Sequence, residues 1–207
     1  MLINPEDRIL FTGDSITDCG RDRNNPDSLG WGYAAIAGAH LQARLASPAL
    51  KIFNRGISGN RVCDLLGRVQ EDLLALRPSV VSIFIGINDV WRRYDSNSPT
   101  DAKAFERDYR ALLEKIATIK SRVVMVEPFL LHVPDDRYAW REDLNPKIDV
   151  VRKLAAEFGA ELLPLDGLFA QAATQAPAAF WAADGVHPSP AGHALIAETW
   201  LENAGMP

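Results

Sequence analysis

The chain has 207 residues, 47% of them hydrophobic and 24% charged, with a formal net charge of -5 at pH 7. This suits one domain over residues 1–207 with a substantial core. The scattered basic residues argue against nucleic acid or an anionic membrane surface as partner.

Alternating strand-like and helix-like segments are predicted along the whole length. The strand candidates are 8–13 "RILFTG", 50–55 "LKIFNR", 80–86 "VVSIFIG", 122–127 "RVVMVE" and 161–165 "ELLPL". They lack polar alternation, as strands covered on both faces of a parallel sheet do. Helical patterns occupy 32–46, 61–76, 145–158 and 190–203. Another follows Thr100, an expected N-cap, and turns Phe105, Tyr109, Leu112, Leu113 and Ile116 to one side. The last helix is expected to start with Ser189 as cap and Pro190 at its first position. Segment 128–144, "PFLLHVPDDRYAWREDL", reads as a long connection. The order implies a doubly wound α/β sandwich.

No window approaches the roughly 18 uninterrupted apolar residues of a membrane span. "MLINPEDR" shows no secretory signal. Two cysteines, Cys19 and Cys63, are too few for a disulfide framework or a structural zinc site and read as small apolar fillers. A reduced, cytoplasmic setting is expected.

Sites in open parallel sheets form beyond the carboxyl ends of the strands. The first three candidate strands end on "GDS" with Ser15, "NRGISGN" with Gly59 and Asn60, and "GINDVWR" with Asn88. If the strand order is the flavodoxin-like 2-1-3-4-5, Ser15 is flanked by the other two loops at about the 4.8 Å strand spacing. A nucleophile between a bare backbone N–H and a side-chain amide is the layout of an oxyanion hole. Far downstream, "ADGVHPSPAGH" sets Asp184 three residues before His187, so that the carboxylate can hold one ring nitrogen and leave the other for a hydroxyl proton.

Each piece also has a plainer reading. Ser15 or Thr17 reads as an N-cap, Gly56 and Gly59 as positive-φ loop residues, and Asn88–Asp89 as a turn cap. Asp184 and His187 read as a surface pair or, with His193, as an incidental metal cluster. Four pieces of one mechanism in the right places favour the catalytic reading.

These residues resemble the blocks of the SGNH, or GDSL-type, serine esterases. "GDSIT" is similar to the first block, with Ile16 where the family name has leucine, and "GISGN", "GIND" and "DGVH" follow in family order over residues 13–187. The resemblance implies a three-layer αβα fold with Ser15 as nucleophile, His187 as base and Asp184 orienting it. It implies an oxyanion hole from the N–H groups of Ser15 and Gly59 and the amide of Asn88, with no metal and no organic cofactor. The flanking residues look most like the intracellular carbohydrate acetylesterases, acetylxylan esterases included. The expected partner is then a small-molecule or oligosaccharide ester. One position departs: Ala183 stands where a tryptophan often directly precedes the catalytic acid, and Trp181 is two residues further back.

Trp91, Tyr94 and Trp181 are candidates to stack on a sugar ring, with core or interface packing as the alternative. Asp14, Asp89 and Arg55 are candidate supports for the site turns. The rival substrates are a lysophospholipid or an acyl-CoA thioester, both of which need an apolar groove, whereas "VWRRYD" with Arg92 and Arg93 looks better suited to a polar ligand. A non-catalytic binding module is expected to lose at least one of Ser15, Asn88, Asp184 and His187, and all are present. Several aromatics leave a homo-oligomer open.

Overall fold

Strands β1 (Arg8–Gly13), β2 (Lys51–Asn54), β3 (Val80–Phe84), β4 (Arg122–Val126) and β5 (Glu161–Leu163) form one five-stranded sheet in the computed structural model, which describes residues 1–206. The order is β2-β1-β3-β4-β5 and every pair is parallel. This is the α/β architecture and flavodoxin-like order expected from the sequence.

The period-2 geometry of strands sends neighbouring residues to opposite faces. Ile9, Phe11, Val80, Phe84, Val124 and Val126 join one buried cluster, while Leu10, Val81, Ile83 and Met125 join the other. The first face is covered by α2 (Tyr33–Leu45) and α10 (Pro190–Asn203), which contribute Tyr33, Leu41, Ile196 and Trp200. Ser82, fully buried on that face, accepts a hydrogen bond from Trp200 Nε1 at 3.1 Å. The second face is covered by α3 (Val62–Gly67) and α6 (Ala102–Ala117), with Val62, Leu65, Phe105 and Leu112.

Three expectations need correction. Asp101, not Thr100, caps α6, because its carboxylate accepts the Ala104 N–H at 2.8 Å. The helix expected over 61–76 is broken into α3, α4 (Val69–Asp72) and a 3₁₀ turn at Leu74–Leu76. Arg68 leaves helical geometry between the first two, and its side chain reaches Asn60, Asp72 and Gly13. The helix expected over 145–158 begins at Arg137, so α7 (Arg137–Phe158) takes in the end of the supposed connection and carries Pro146 inside it. Burial of Trp140, Leu144, Ile148 and Val151 outweighs the proline, which a local reading takes as a stop. α10 starts as expected, with Ser189 Oγ accepting the Gly192 N–H at 3.2 Å. The remaining helices are α1 (Ser15–Asp18), α5 (Ile87–Ser96), α8 (Leu165–Ala172) and α9 (Ala178–Trp181).

Candidate active site

Strand β1 ends at Gly13 and the chain turns at once into α1, with Asp14 as its N-cap accepting the Ile16 N–H at 3.0 Å. Ser15 is thereby held at the first helical position. Its Oγ lies 2.9 Å from His187 Nε2, and His187 Nδ1 lies 2.7 Å from Asp184 Oδ2. Asp184 Oδ1 also accepts the backbone N–H groups of Val186 and His187, at 3.0 and 2.8 Å. A carboxylate facing Nδ1 assigns the proton of the neutral ring to that nitrogen, leaving Nε2 to accept from the Ser15 hydroxyl.

The charges follow this wiring. Burial opposes ionisation of Asp184, but the hydrogen bonds from the His187 ring and from two backbone N–H groups outweigh it and hold the carboxyl below its usual range. His187 is raised above the ordinary histidine value by its bond to Asp184, against a smaller opposing effect of burial.

The Gly59 loop packs against α1. Ser58 donates both its N–H and its hydroxyl to Asp18 Oδ2, at 3.1 and 2.9 Å, and Ile57 N–H donates to Gly13 O at 3.1 Å. Gly56 is so close that a Cβ would stand 2.2 Å from the Asp18 nitrogen. Gly59 has φ +86°, a conformation that favours glycine, and a side chain there would enter the site. Neither Ser15 N–H nor Gly59 N–H has a protein acceptor among the described residues. Asn88, one residue into α5, gives one amide hydrogen to Asn60 O at 3.0 Å and keeps the second. The neighbouring Asp89 accepts the Val62 N–H at 3.1 Å, which ties α3 to α5.

A cavity of about 230 Å³ opens over these groups, lined by Ser15, Ser58, Gly59, Asn88, Trp91, Arg92, Asp95 and His187. The structure thus brings together all five residues expected at the reaction centre. Of the three aromatic candidates only Trp91 lines the cavity, with its ring 5.7 Å from that of His187. Tyr94 stacks on Trp140 at 4.9 Å, and its hydroxyl donates to Ala139 O. Trp181 donates from Nε1 to Ala172 O at 2.9 Å and does not line the cavity, and Ala183 is exposed.

The candidate supports divide by environment. Asp14 and Asp89 are both buried, and burial pushes each carboxyl up to about 7. Arg55 instead ties the end of β2 to Pro26 O and Asn54 O. Cys63 is exposed rather than a filler, whereas Cys19 is buried with its sulfur 3.2 Å from His193 Nε2. Tyr33 N–H donates to His193 Nδ1 at 3.2 Å, so the neutral ring carries its proton on Nε2 and donates to the cysteine. His193 therefore has both nitrogens engaged away from His187. No group of three His, Cys, Asp or Glu placed to hold a metal occurs among the described residues.

Two arginines at the site, Arg68 and Arg137, left no signal in the sequence, and a third, Arg92, was legible only as suiting a polar ligand. Arg68 Nε donates to Asn60 Oδ1 at 2.8 Å and Arg68 Nη2 to Gly13 O at 3.3 Å, linking the Ser15 and Gly59 loops. Arg137 lies over the rings of Trp140 and Trp91, at 4.0 and 5.4 Å, and donates to Asp184 O at 3.3 Å. Arg92 reaches over Gly59. Only Arg92 left a local signal, its position four residues after Asn88 on one helix.

A parallel αβα sheet carrying this serine, histidine and aspartate at its carboxyl end has a match among known families. Residues 11–195 match the GDSL-like lipase/acylhydrolase family, and the chain belongs to that family. It is 34% identical to an acetylxylan esterase of Geobacillus stearothermophilus over 99% of this chain and 97% of the relative. A solved structure of Axe2, an acetyl-xylooligosaccharide esterase from Geobacillus, superposes with a TM-score of 0.90 at 34% identity, covering 100% of this chain and 98% of that one. A Parabacteroides merdae structure provisionally named as a GDSL-like lipase gives 0.90 at 38%, covering 98% and 97%. The solved Axe2 variants include catalytic mutants in which a serine, an aspartate or a histidine is replaced by alanine.

Proposed function

We propose that the protein is a serine acetylesterase that removes O-acetyl groups from carbohydrates, with acetylated xylo-oligosaccharides as the substrate class. The observation that carries this reading is the unbroken hydrogen-bonded chain from Asp184 through His187 to Ser15. The acetylxylan esterase relative and the catalytic Ser, Asp and His mutants of Axe2 support it.

In this mechanism His187 Nε2 takes the Ser15 proton as Oγ bonds to the acetyl carbonyl carbon. The carbonyl π pair moves to oxygen, and the oxyanion is held by the N–H groups of Ser15 and Gly59 and the second amide hydrogen of Asn88. Asp184 stays ionised, keeps the ring in the required tautomer and stabilises the imidazolium. As the carbon–oxygen bond to the sugar breaks, His187 returns the proton to the leaving oxygen. Water then attacks the acetyl-serine by the same route and acetate departs. No step requires a cofactor.

No helix among the described residues is long and apolar enough to cross a membrane. A cytoplasmic setting belongs to the same proposal, supported by two cysteines that form no disulfide. The test is hydrolysis of p-nitrophenyl esters from acetate to octanoate by wild type and Ser15→Ala, followed by acetate release from acetylated xylo-oligosaccharides. Acetate should be preferred, with a loss of about 10⁴-fold or more in the variant. A preference for octanoate redirects the assignment to lipid or thioester substrates, and hydrolysis that does not depend on Ser15 overturns it.

A further inference from the structure

One side of α5 holds more than the oxyanion amide. Asn88, Trp91, Arg92 and Asp95 are spaced i, i+3, i+4 and i+7, which turns them to one side of a helix, and all four line the cavity over Ser15. The proposed chemistry uses only the first. Arg92 Nη1 donates to Asp95 Oδ2. Arg92 Nη2 stands 3.6 Å from where a Cβ on Gly59 would lie, and nothing else comes within 4 Å of that point. The guanidinium therefore hangs over the oxyanion loop, tethered by Asp95.

A tetrahedral carbon on Ser15 Oγ has three other substituents. The oxyanion points to the Gly59 and Asn88 donors. The leaving oxygen must face His187 Nε2, and Trp91 packs on that imidazole, so the sugar lies along the His187–Trp91 side. The remaining substituent is left with the part of the cavity lined by Arg92 and Asp95. The geometry points to the Arg92–Asp95 ion pair as the end wall of the acyl pocket, which admits acetyl and refuses longer acyl chains. This rests on the acetylesterase reading and adds the residues that set its acyl specificity.

A methyl group fits against such a wall without disturbing it. Each further methylene that reaches the wall must part the pair or strip water from a guanidinium and a carboxylate. One methylene in a shaped pocket is worth about 10- to 200-fold in discrimination. Both side chains are about one-third exposed, so their mutual attraction adds little to folding and either can be removed singly. Alanine is the best helix former at such positions.

The experiment compares kcat/KM for p-nitrophenyl acetate, butyrate and hexanoate in wild type, Arg92→Ala and Asp95→Ala, with Ser15→Ala as blank. The butyrate-to-acetate ratio should rise at least about tenfold in Arg92→Ala. It should rise in the same direction in Asp95→Ala, where the arginine loses its tether. An unchanged ratio in both variants, or an equal fall for acetate and butyrate, overturns the wall. A raised KM for acetylated xylo-oligosaccharide at an unchanged ester ratio also overturns it and moves Arg92 to the sugar side. Absence of Ser15-dependent acetate hydrolysis in wild type overturns the acetylesterase reading instead.

Discussion

In the proposed mechanism, replacing Asn88 by alanine removes one oxyanion donor and leaves Ser15, His187 and Asp184 untouched. Loss of such a donor costs about 10²–10³ in kcat, or roughly 2.7–4 kcal/mol. The same substitution frees Asn60 O, whose 3.0 Å bond to the amide has a net worth of about 0.5–1.5 kcal/mol. That second loss would matter more if it released the neighbouring Gly59 donor. It should not, because Arg68 holds the Asn60 side chain and Ile57 O accepts the Asn60 N–H. The loss should therefore stay within 10²–10³ rather than compound to the removal of two donors. The oxyanion exists only after attack, so the effect belongs in kcat, with KM for p-nitrophenyl acetate changed little. Steady-state kinetics of the purified variant decide it. A kcat loss below about tenfold, or a loss carried by KM alone, refutes the role assigned to Asn88.

The pH profile of kcat/KM should lose activity as pH falls, because the proposed mechanism needs a neutral His187 to accept the serine proton. Its raised value puts the midpoint above the ordinary 6.5, and Asp184→Asn should move the midpoint down while lowering kcat. His193 is buried and held down to about 4, by burial first and by His187 second, so between that value and 6.5 the unfolded chain binds the extra proton. That proton costs the fold stability as pH drops through the window, by up to about 3 kcal/mol. Asp14 and Asp89, held up to about 7, act in the opposite direction, so thermal melts of His193→Gln should gain stability relative to wild type as pH falls from 6.5 towards 4. Arg137→Ala should lower kcat/KM roughly tenfold, within the 10² that a 1 Å misplacement costs, and Arg137→Lys should recover little because it loses the planar stack. Equal activity of wild type and both Arg137 variants would show that the guanidinium does not position Asp184.

The legible parts of the sequence were those set by local chemistry. Ser15, Gly59 and Asn88 each follow a strand, so strand order alone brings them together, and the paired registers of β1 with β2 and β3 do so. Asp184 and His187 are three residues apart and needed only a turn. Arg68 and Arg137 were illegible because they act across distance: Arg68 reaches back 55 residues to Gly13, and Arg137 reaches forward 47 residues to Asp184. The start of α7 was hidden for a related reason. Pro146 marks a break locally, while the burial of Trp140 and Leu144 that overrides it exists only once the sheet has formed.

The two halves of the site are therefore held by different means. Ser15, Gly59 and Asn88 follow three hydrogen-bonded strands, so their spacing is inherited from the sheet. The Asp184–His187 turn lies outside the sheet and depends on contacts with segment 128–144. Leu131 N–H donates to Gly185 O at 2.9 Å, Arg137 Nε to Asp184 O, and the arginine seats Trp91 beside the His187 ring. Of these anchors, Leu131 is buried, whereas Arg137 acts from the first residue of a helix. Changes at strand ends should thus cost fold and activity together. Substitution of Arg137 should loosen His187 while the protein still melts normally. Ala183 fits this division, since an exposed alanine beside Asp184 adds no packing of its own and leaves orientation of the histidine to the ties from α7.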